Sequence, residues 1–251
     1  MTPAERRAAL EAIAAEVRDC TRCRLHETRT KAVPGEGDPD TEVIFVGEGP
    51  GFNEDREGRP FVGRAGGLLE RLLGHVGWRR EDVFITNVVK CRPPENRDPE
   101  PDEMAACAPF LRRQLEVLDP SVVVTLGRFS MATFMPGVRI TQAHGTTRIA
   151  DPDTGARDAT VFAMYHPAYA LRNPAVERES FDDVARIPDV LIASRERRRG
   201  RQATSPIPAG SSAAPSSASA TEAADDAPSA EAPGPGQSAT PAPDVDQLSL
   251  F

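Results

Sequence analysis

What the chain lacks narrows it first. None of its 251 residues fall in an apolar run long enough to cross a membrane, which takes about 20. Residues 1–15 also lack the apolar block of a signal peptide, so a cytoplasmic protein with no membrane partner is expected. From Gln202 onward there is no Lys or Arg; Ala, Ser and Pro dominate, and Glu222, Asp225, Asp226, Glu231, Asp244 and Asp246 stand unopposed. Such a stretch buries too little apolar surface to offset its ordering entropy, so residues 201–246 read as a disordered linker. The G-x-x-x-x-G-K-[ST] pattern is missing, which removes nucleotide-phosphate binding as the natural reading of the glycine-rich stretch described below.

What remains is a domain-sized segment, residues 1–200, expected to act as a monomer. Residues 1–201 hold 30 basic and 32 acidic side chains, so the formal charge of -8 belongs mostly to the tail. A near-neutral body rich in arginine can still turn a basic face to a polyanion.

Periodicity gives an alternation of helices and strands. An amphipathic helix is expected over 4–18, with Leu10, Ile13 and Val17 on one face. Strands are expected at 43–46, 84–89 and 121–126, and helices at 66–76, 101–118 and 128–134. Residues 138–149 and 159–164 look like antiparallel partners, and a last helix is expected at 180–197. The fold class is therefore α/β: a doubly wound, mainly parallel four-stranded sheet flanked by helices, followed by a disordered C-terminal tail.

The stretch VIFVGEGPGFNEDREGRPFVGRAG, residues 43–66, runs from a buried strand into a long polar glycine loop, with no helical pattern before Ala65. Open α/β sheets place their ligands at such strand ends. Glu48, Asn87 and His166 fall at or near the carboxyl ends of strands and are expected to converge on one crevice.

The chain has four cysteines, Cys20 and Cys23 in a C-x-x-C, and Cys91 and Cys107 separated by fifteen residues. A redox dithiol fits poorly, because this C-x-x-C follows a helix with no strand before it. Metal binding fits better. The wide second pair is commoner among four-thiolate iron-sulfur clusters than among zinc ribbons, although thiolate chemistry alone leaves zinc open.

Three blocks carry a resemblance: GEGPGFNEDREGRPFVGRAG at 47–66, ITNVVKCRPPENR at 85–97 and HPAYALRNP at 166–174. Together with the cysteine set they resemble the family 4 uracil-DNA glycosylases, the iron-sulfur branch of their superfamily, over about residues 10–195. The resemblance implies hydrolysis of the N-glycosidic bond of uracil in single- or double-stranded DNA. It also implies a 4Fe-4S cluster on Cys20, Cys23, Cys91 and Cys107. By matching position, Phe61 stacks on the flipped base, Asn87 reads its edge, Glu54 crowds C5 against thymine, and His166 donates to uracil O2. Gly49 stands where classical members carry an Asp, so Glu48, Asn96 and the local backbone become the candidates for holding the attacking water. Arg97 and Arg172 are expected at phosphates, and Leu171 as a wedge in the gap left by the base. A non-catalytic or covalently trapping uracil-DNA-binding protein is the alternative. Gly49 and the short PPENRDPEP segment depart from the trapping members, which favours turnover. An iron-sulfur electron carrier is disfavoured, since nothing else in the chain binds a redox partner.

After the linker the chain ends in QLSLF, residues 247–251, similar to the bacterial sliding-clamp-binding pentapeptide. Gln247, Leu248, Leu250 and Phe251 would fill the clamp pockets. A flexible linker of about 45 residues has a root-mean-square reach of roughly 35–40 Å.

Overall fold

The computed structural model describes residues 1–204, with side chains to Arg201. The expected clamp peptide and nearly all of the expected linker lie outside the described residues. The helices are α1 (Pro3–Asp19), α2 (Phe52–Glu57), α3 (Arg64–His75), α4 (Pro101–Leu118), α5 (Arg128–Phe134), α6 (Ile140–Ala143), α7 (Pro167–Ala170), α8 (Pro174–Val184) and α9 (Ile187–Thr204). The strands are β1 (Glu36–Gly37), β2 (Val43–Gly47), β3 (Phe84–Asn87), β4 (Val122–Leu126), β5 (Thr147–Ile149) and β6 (Thr160–Met164).

Among the described residues the sheet order is β1-β3-β2-β4-β6-β5. The four inner strands β3, β2, β4 and β6 are parallel, and the two short edge strands pair antiparallel to them. All four inner strands are buried along their whole length, as expected when helices cover both faces. Their alternate side chains feed two cores. Ile44, Val46, Val123 and Val161 pack with α1 and α4. Val43, Phe45, Val122 and Phe162 pack with α3, α8 and α9 on the opposite face. The connection from β2 leads to β3 and that from β4 leads to β6, in opposite directions across the sheet. The strand ends at Gly47 and Leu126 therefore flank a switch point, where the departing loops leave a crevice.

Four expectations need correction. The loop after β2 is interrupted by α2: Gly51 is its N-cap, Glu54 reaches back to the Gly51 amide, and Gly58 closes it in the left-handed region. Without a Ser, Thr or Asp cap the start of this helix is silent in the sequence. Of 138–149 only Thr147–Ile149 is strand, an exposed edge piece, and Ile140–Ala143 turns as helix to bury Ala143. The last helix is two. Asn173 caps α8 by accepting from the amides of Ala175 and Val176, with Pro174 at its first position. Pro188, tolerated only in a first turn, restarts the chain as α9, which continues to Thr204 beyond the expected boundary. Finally, β1 is an edge strand that was not expected, whereas β5 is the shortened form of the expected antiparallel partner of β6.

Candidate active site

Gly47 and Asn87 face each other in register where β2 and β3 end, and the pairing continues past the strands: the Val88 amide donates to Gly47 O and the Val89 amide to Glu48 O, each at 3.0 Å. A side chain at Gly47 would overlap both Asn87 Oδ1 and the Phe61 ring, so glycine there lets amide and phenyl approach one another. Asn87 is 1 % exposed and its Oδ1 is buried without a hydrogen-bond partner. An orphaned acceptor of this kind costs about 1–3 kcal/mol, and a native site that carries one is built to receive a donor.

Phe61 is held in a conformation unusual for its type, with φ 52° and 5 % exposure. Its surroundings impose this. Arg80 donates to Phe61 O at 2.9 Å and also to Pro60 O, and Glu54 accepts from the amides of Val62 at 3.0 Å and Gly63 at 2.9 Å. Gly66 is pressed on Phe61 O so closely that no side chain fits there. The Phe61 ring then stacks beside His166, centroids 5.8 Å apart.

His166 is the N-cap of α7. The Ala168 amide donates to its Nδ1 at 3.1 Å, which leaves Nε2 as the protonated nitrogen of the neutral ring. Burial, which outweighs the nearby Glu54 carboxylate, pushes its pKa down to about 4. The group is thus a neutral N–H donor at physiological pH. Glu48 behaves in the opposite sense: burial, reinforced by Asp98 and opposed by Arg128, raises its pKa to about 7. Arg128 and Asp98 are themselves ion-paired across the crevice mouth. At Gly49 a Cβ would lie 2.6 Å from Val89 Cγ2, so the backbone has no room there for the Asp of classical members.

The other expected residues are placed less uniformly. Glu54 is taken up by three backbone amides, those of Gly51, Val62 and Gly63, and brackets α2 to the Phe61 turn. Asn96 sits exposed in the turn Pro94–Asn96, its Oδ1 accepting from Arg92 Nε at 2.7 Å. Arg97, expected at a phosphate, instead spends its fork on the buried Glu103, at 2.9 and 2.6 Å, and on Asp98 O. Leu171 is partly buried against the core beside α3 and α8, and Arg172 is exposed.

The cysteines meet on the far side of the loop after β3. Cys20, Cys23, Cys91 and Cys107 line one cavity with Arg29 and Lys90. Arg29 Nη1 donates to Cys91 Sγ at 3.1 Å and the Lys90 amide to Cys107 Sγ at 3.2 Å, contacts that favour thiolate. Burial nonetheless pushes Cys107 up to about 11 and raises Cys91, so the bare thiols keep their protons. Among the described residues no set of three or more His, Cys, Asp or Glu groups is gathered so as to hold a metal ion.

Sequence reading missed Lys90. Its side chain is 1 % exposed, and Nζ donates to Thr86 Oγ1 at 2.6 Å and to Asn87 O and Gln114 Oε1 at 2.7 Å. Its position between Asn87 and Cys91 was the available signal. A lysine inside an apolar run next to both a buried strand-end amide and a thiol is seldom solvated.

A doubly wound domain whose strand ends gather an orphaned amide, a strained phenyl and a neutral imidazole is a small-ligand recess of the kind α/β sheets carry. A family profile described as the uracil DNA glycosylase superfamily matches residues 34–186, and the chain belongs to that superfamily. It is 46 % identical over 192 residues to a type-4 uracil-DNA glycosylase of Sulfurisphaera tokodaii, covering 74 % of this chain and 86 % of that one. Similar relatives carry the same description in Saccharolobus solfataricus (46 % over 186 residues, 72 % and 86 % covered) and Thermotoga maritima (49 % over 170 residues, 67 % and 86 % covered).

Proposed function

We propose that the protein is a monofunctional uracil-DNA glycosylase that hydrolyses the N-glycosidic bond of uracil in DNA and leaves an abasic site. The observation that carries this reading is the buried, unpartnered Asn87 Oδ1 against the Phe61 ring. Uracil N3–H supplies the missing donor, and the amide N–H₂ meets O4; cytosine offers the reverse pattern. The base must leave the helix to reach this recess, at a cost of a few kcal/mol that is least at mismatches. Phe61 then covers one face of the flipped ring.

Bond cleavage collects negative charge on uracil O2, and His166 Nε2–H is the donor for it. A neutral donor with its other nitrogen fixed by the Ala168 amide needs no reorganisation as charge develops. Glu48, poised near pH 7, is the acceptor for the proton of the attacking water. Asn96, with its carbonyl already engaged by Arg92, fits that role less well. Glu54 serves as the bracket that fixes the Phe61 turn, and any crowding of C5 acts from that fixed position. Arg172 is the phosphate contact and Leu171 the wedge beside it.

The four-thiol cavity fits a 4Fe-4S cluster. All four cysteines line one cavity, and N–H donors from Arg29 and Lys90 reach the sulfurs of Cys91 and Cys107. Cys20, Cys23, Cys91 and Cys107 would hold it. Bound there, the cluster would supply a covalent tie among the end of α1, the loop after β3 and α4, and hydrolysis would need no electron from it.

The terminal QLSLF peptide is read as a tether to the sliding clamp, with the enzyme acting as a monomer in the cytoplasm. Among the described residues no helix is long and apolar enough to cross a membrane.

Release of free base from oligonucleotides carrying U, T, C or hypoxanthine, with wild type and Asn87→Ala, tests the activity. Uracil release that falls roughly 5- to 150-fold in the variant is expected, the range for a lost buried hydrogen-bond pair. DNA binding without base release by the wild type would leave the binding-protein alternative. Deleting residues 247–251 should abolish retention on immobilised clamp and spare cleavage of short oligonucleotides; undiminished retention of the truncated chain removes the tether.

A further inference from the structure

Among the described residues, large apolar side chains that stand exposed are few: Met1, Phe52, Ile149, Tyr169 and Ile192. Phe52 is the first residue of α2 and is 52 % exposed. It lies on the short helix that Glu54 ties to the Phe61 turn, so its position relative to the base recess is fixed by hydrogen bonds. Two arginines from different segments converge on it. The Arg56 guanidinium carbon lies 5.5 Å from the ring centroid, and that of Arg92, from the loop after β3, 5.2 Å. They differ in freedom. Arg92 is pinned by Asn96 Oδ1, whereas Arg56 is exposed and, among the described residues, has no hydrogen-bond or ion-pair partner.

We propose that Phe52, Arg56 and Arg92 form a binding site for the single-stranded nucleotide next to the flipped one, with its base stacked on Phe52 and its phosphate held by Arg56. An exposed phenyl with two guanidinium groups against its ring pairs the two recognition elements of single-strand binding, a π face and cations at backbone distance. The arriving base takes the ring face that Arg56 covers, and the released guanidinium turns to the phosphate, so one cation–π contact is exchanged for a stack and an ion pair. Arg92 stays in place and borders the platform on the side of the cysteine loop. The site is sequence-tolerant, because every base offers a π face, and favours single strands or opened duplex over closed duplex.

The inference rests on the glycosylase reading for its place beside the flipped base, but its test does not need uracil. Anisotropy of a labelled, uracil-free oligothymidylate of about 15 nucleotides, within the usual single-strand site sizes, is titrated with the full chain and its variants. Phe52→Ala should weaken binding about ten-fold, in keeping with one lost base–aromatic stack, while Phe52→Trp retains wild-type affinity. Arg56→Gln should lower the slope of log K against log salt by about 0.7, one phosphate's worth on a single strand. Phe52→Ala should keep the wild-type melting temperature, since the ring is 52 % exposed, so that a loss of binding is not a loss of fold. Wild-type affinity in Phe52→Ala, or equal affinity of Phe52→Leu and Phe52→Trp, overturns the proposal. If no protein releases uracil but Phe52→Ala still loses oligothymidylate binding, the glycosylase reading fails and the stacking site stands.

Discussion

The base recess and the cysteine cavity lie on either side of the segment Asn87–Cys91, and they are held together in contrasting ways. In the recess Asn87 Oδ1 has no partner, Phe61 adopts φ 52°, and Glu48 titrates well above an ordinary carboxylate. At the cavity, thiols from α1's end, the β3 loop and α4 meet backbone and guanidinium donors. The first region stores cost: about 1–3 kcal/mol for the orphaned acceptor and a similar amount for the strained Phe. The second, with the proposed cluster bound, would add a tie between α1, the β3 loop and α4, which already share a packed core. Function at the recess is therefore expected to come at the expense of stability, and the cavity to contribute stability without chemistry.

That contrast can be broken at four points. Cys107→Ser should act on stability most of all. A cross-link closing a loop of this length is worth about 4 kcal/mol, or roughly 10 °C in melting temperature, and iron content should fall with it. Calorimetry with iron analysis checks both; an unaltered melting temperature would show that the tie is not structural.

His166→Ala should behave as its mirror image, cutting single-turnover uracil release by about 10²–10³ with the fold intact. If the melting temperature collapses instead, His166 is a cap before it is a donor.

Glu48→Gln is expected to slow uracil release yet stabilise the fold. With a folded pKa of about 7 against 4.5 for an ordinary Glu, the wild-type carboxylate destabilises the folded state as pH rises from about 4.5 through 7. The full penalty, about 3–4 kcal/mol, is present only above pH 7. The stability gain of Glu48→Gln should thus appear at pH 8 and vanish near pH 4. Wild-type activity should rise with pH through about 7, while His166 stays neutral down to about 4. Chemical denaturation at both pH values and a rate profile test this.

The smallest effect is expected from Glu54→Gln, which keeps the shape but gives up charge-assisted bonds to three amides. A loss of about 1–2 kcal/mol, with KM raised more than kcat is lowered, would mark Glu54 as the bracket of the Phe61 turn. Release of thymine by this variant would assign it the C5 screen as well.

The strands were legible because Val43–Val46, Phe84–Ile85 and Val122–Val124 are continuous apolar runs with glycine or polar residues following them. Asn87 and His166 were legible because they stand at such ends. What escaped the sequence was partnership across distance. Nothing near Arg97 announces that Glu103 will take its fork, and nothing near Arg80 shows that it will grip Phe61's carbonyl. The helix α2 escaped because a glycine cap gives no local signal, and α8 ran into α9 because Pro188 was read as part of a helix instead of as the start of one. The first kind of miss is a tertiary contact that no local pattern encodes, and the second is a helix boundary whose local signal is weak or ambiguous.

Lys90 has a practical consequence for anyone wishing to redesign the base preference. Its Nζ donates to the carbonyl of Asn87 while its own amide donates to the sulfur of Cys107, so a single residue joins the end of β3, where the base is proposed to be read, to the cavity. Exchanging Asn87 for another reader therefore cannot be done as a cassette swap of one position. The grafted segment has to bring Thr86, Lys90 and Gln114 with it, and libraries that randomise the recess alone will sample backbones the cysteine side has already fixed.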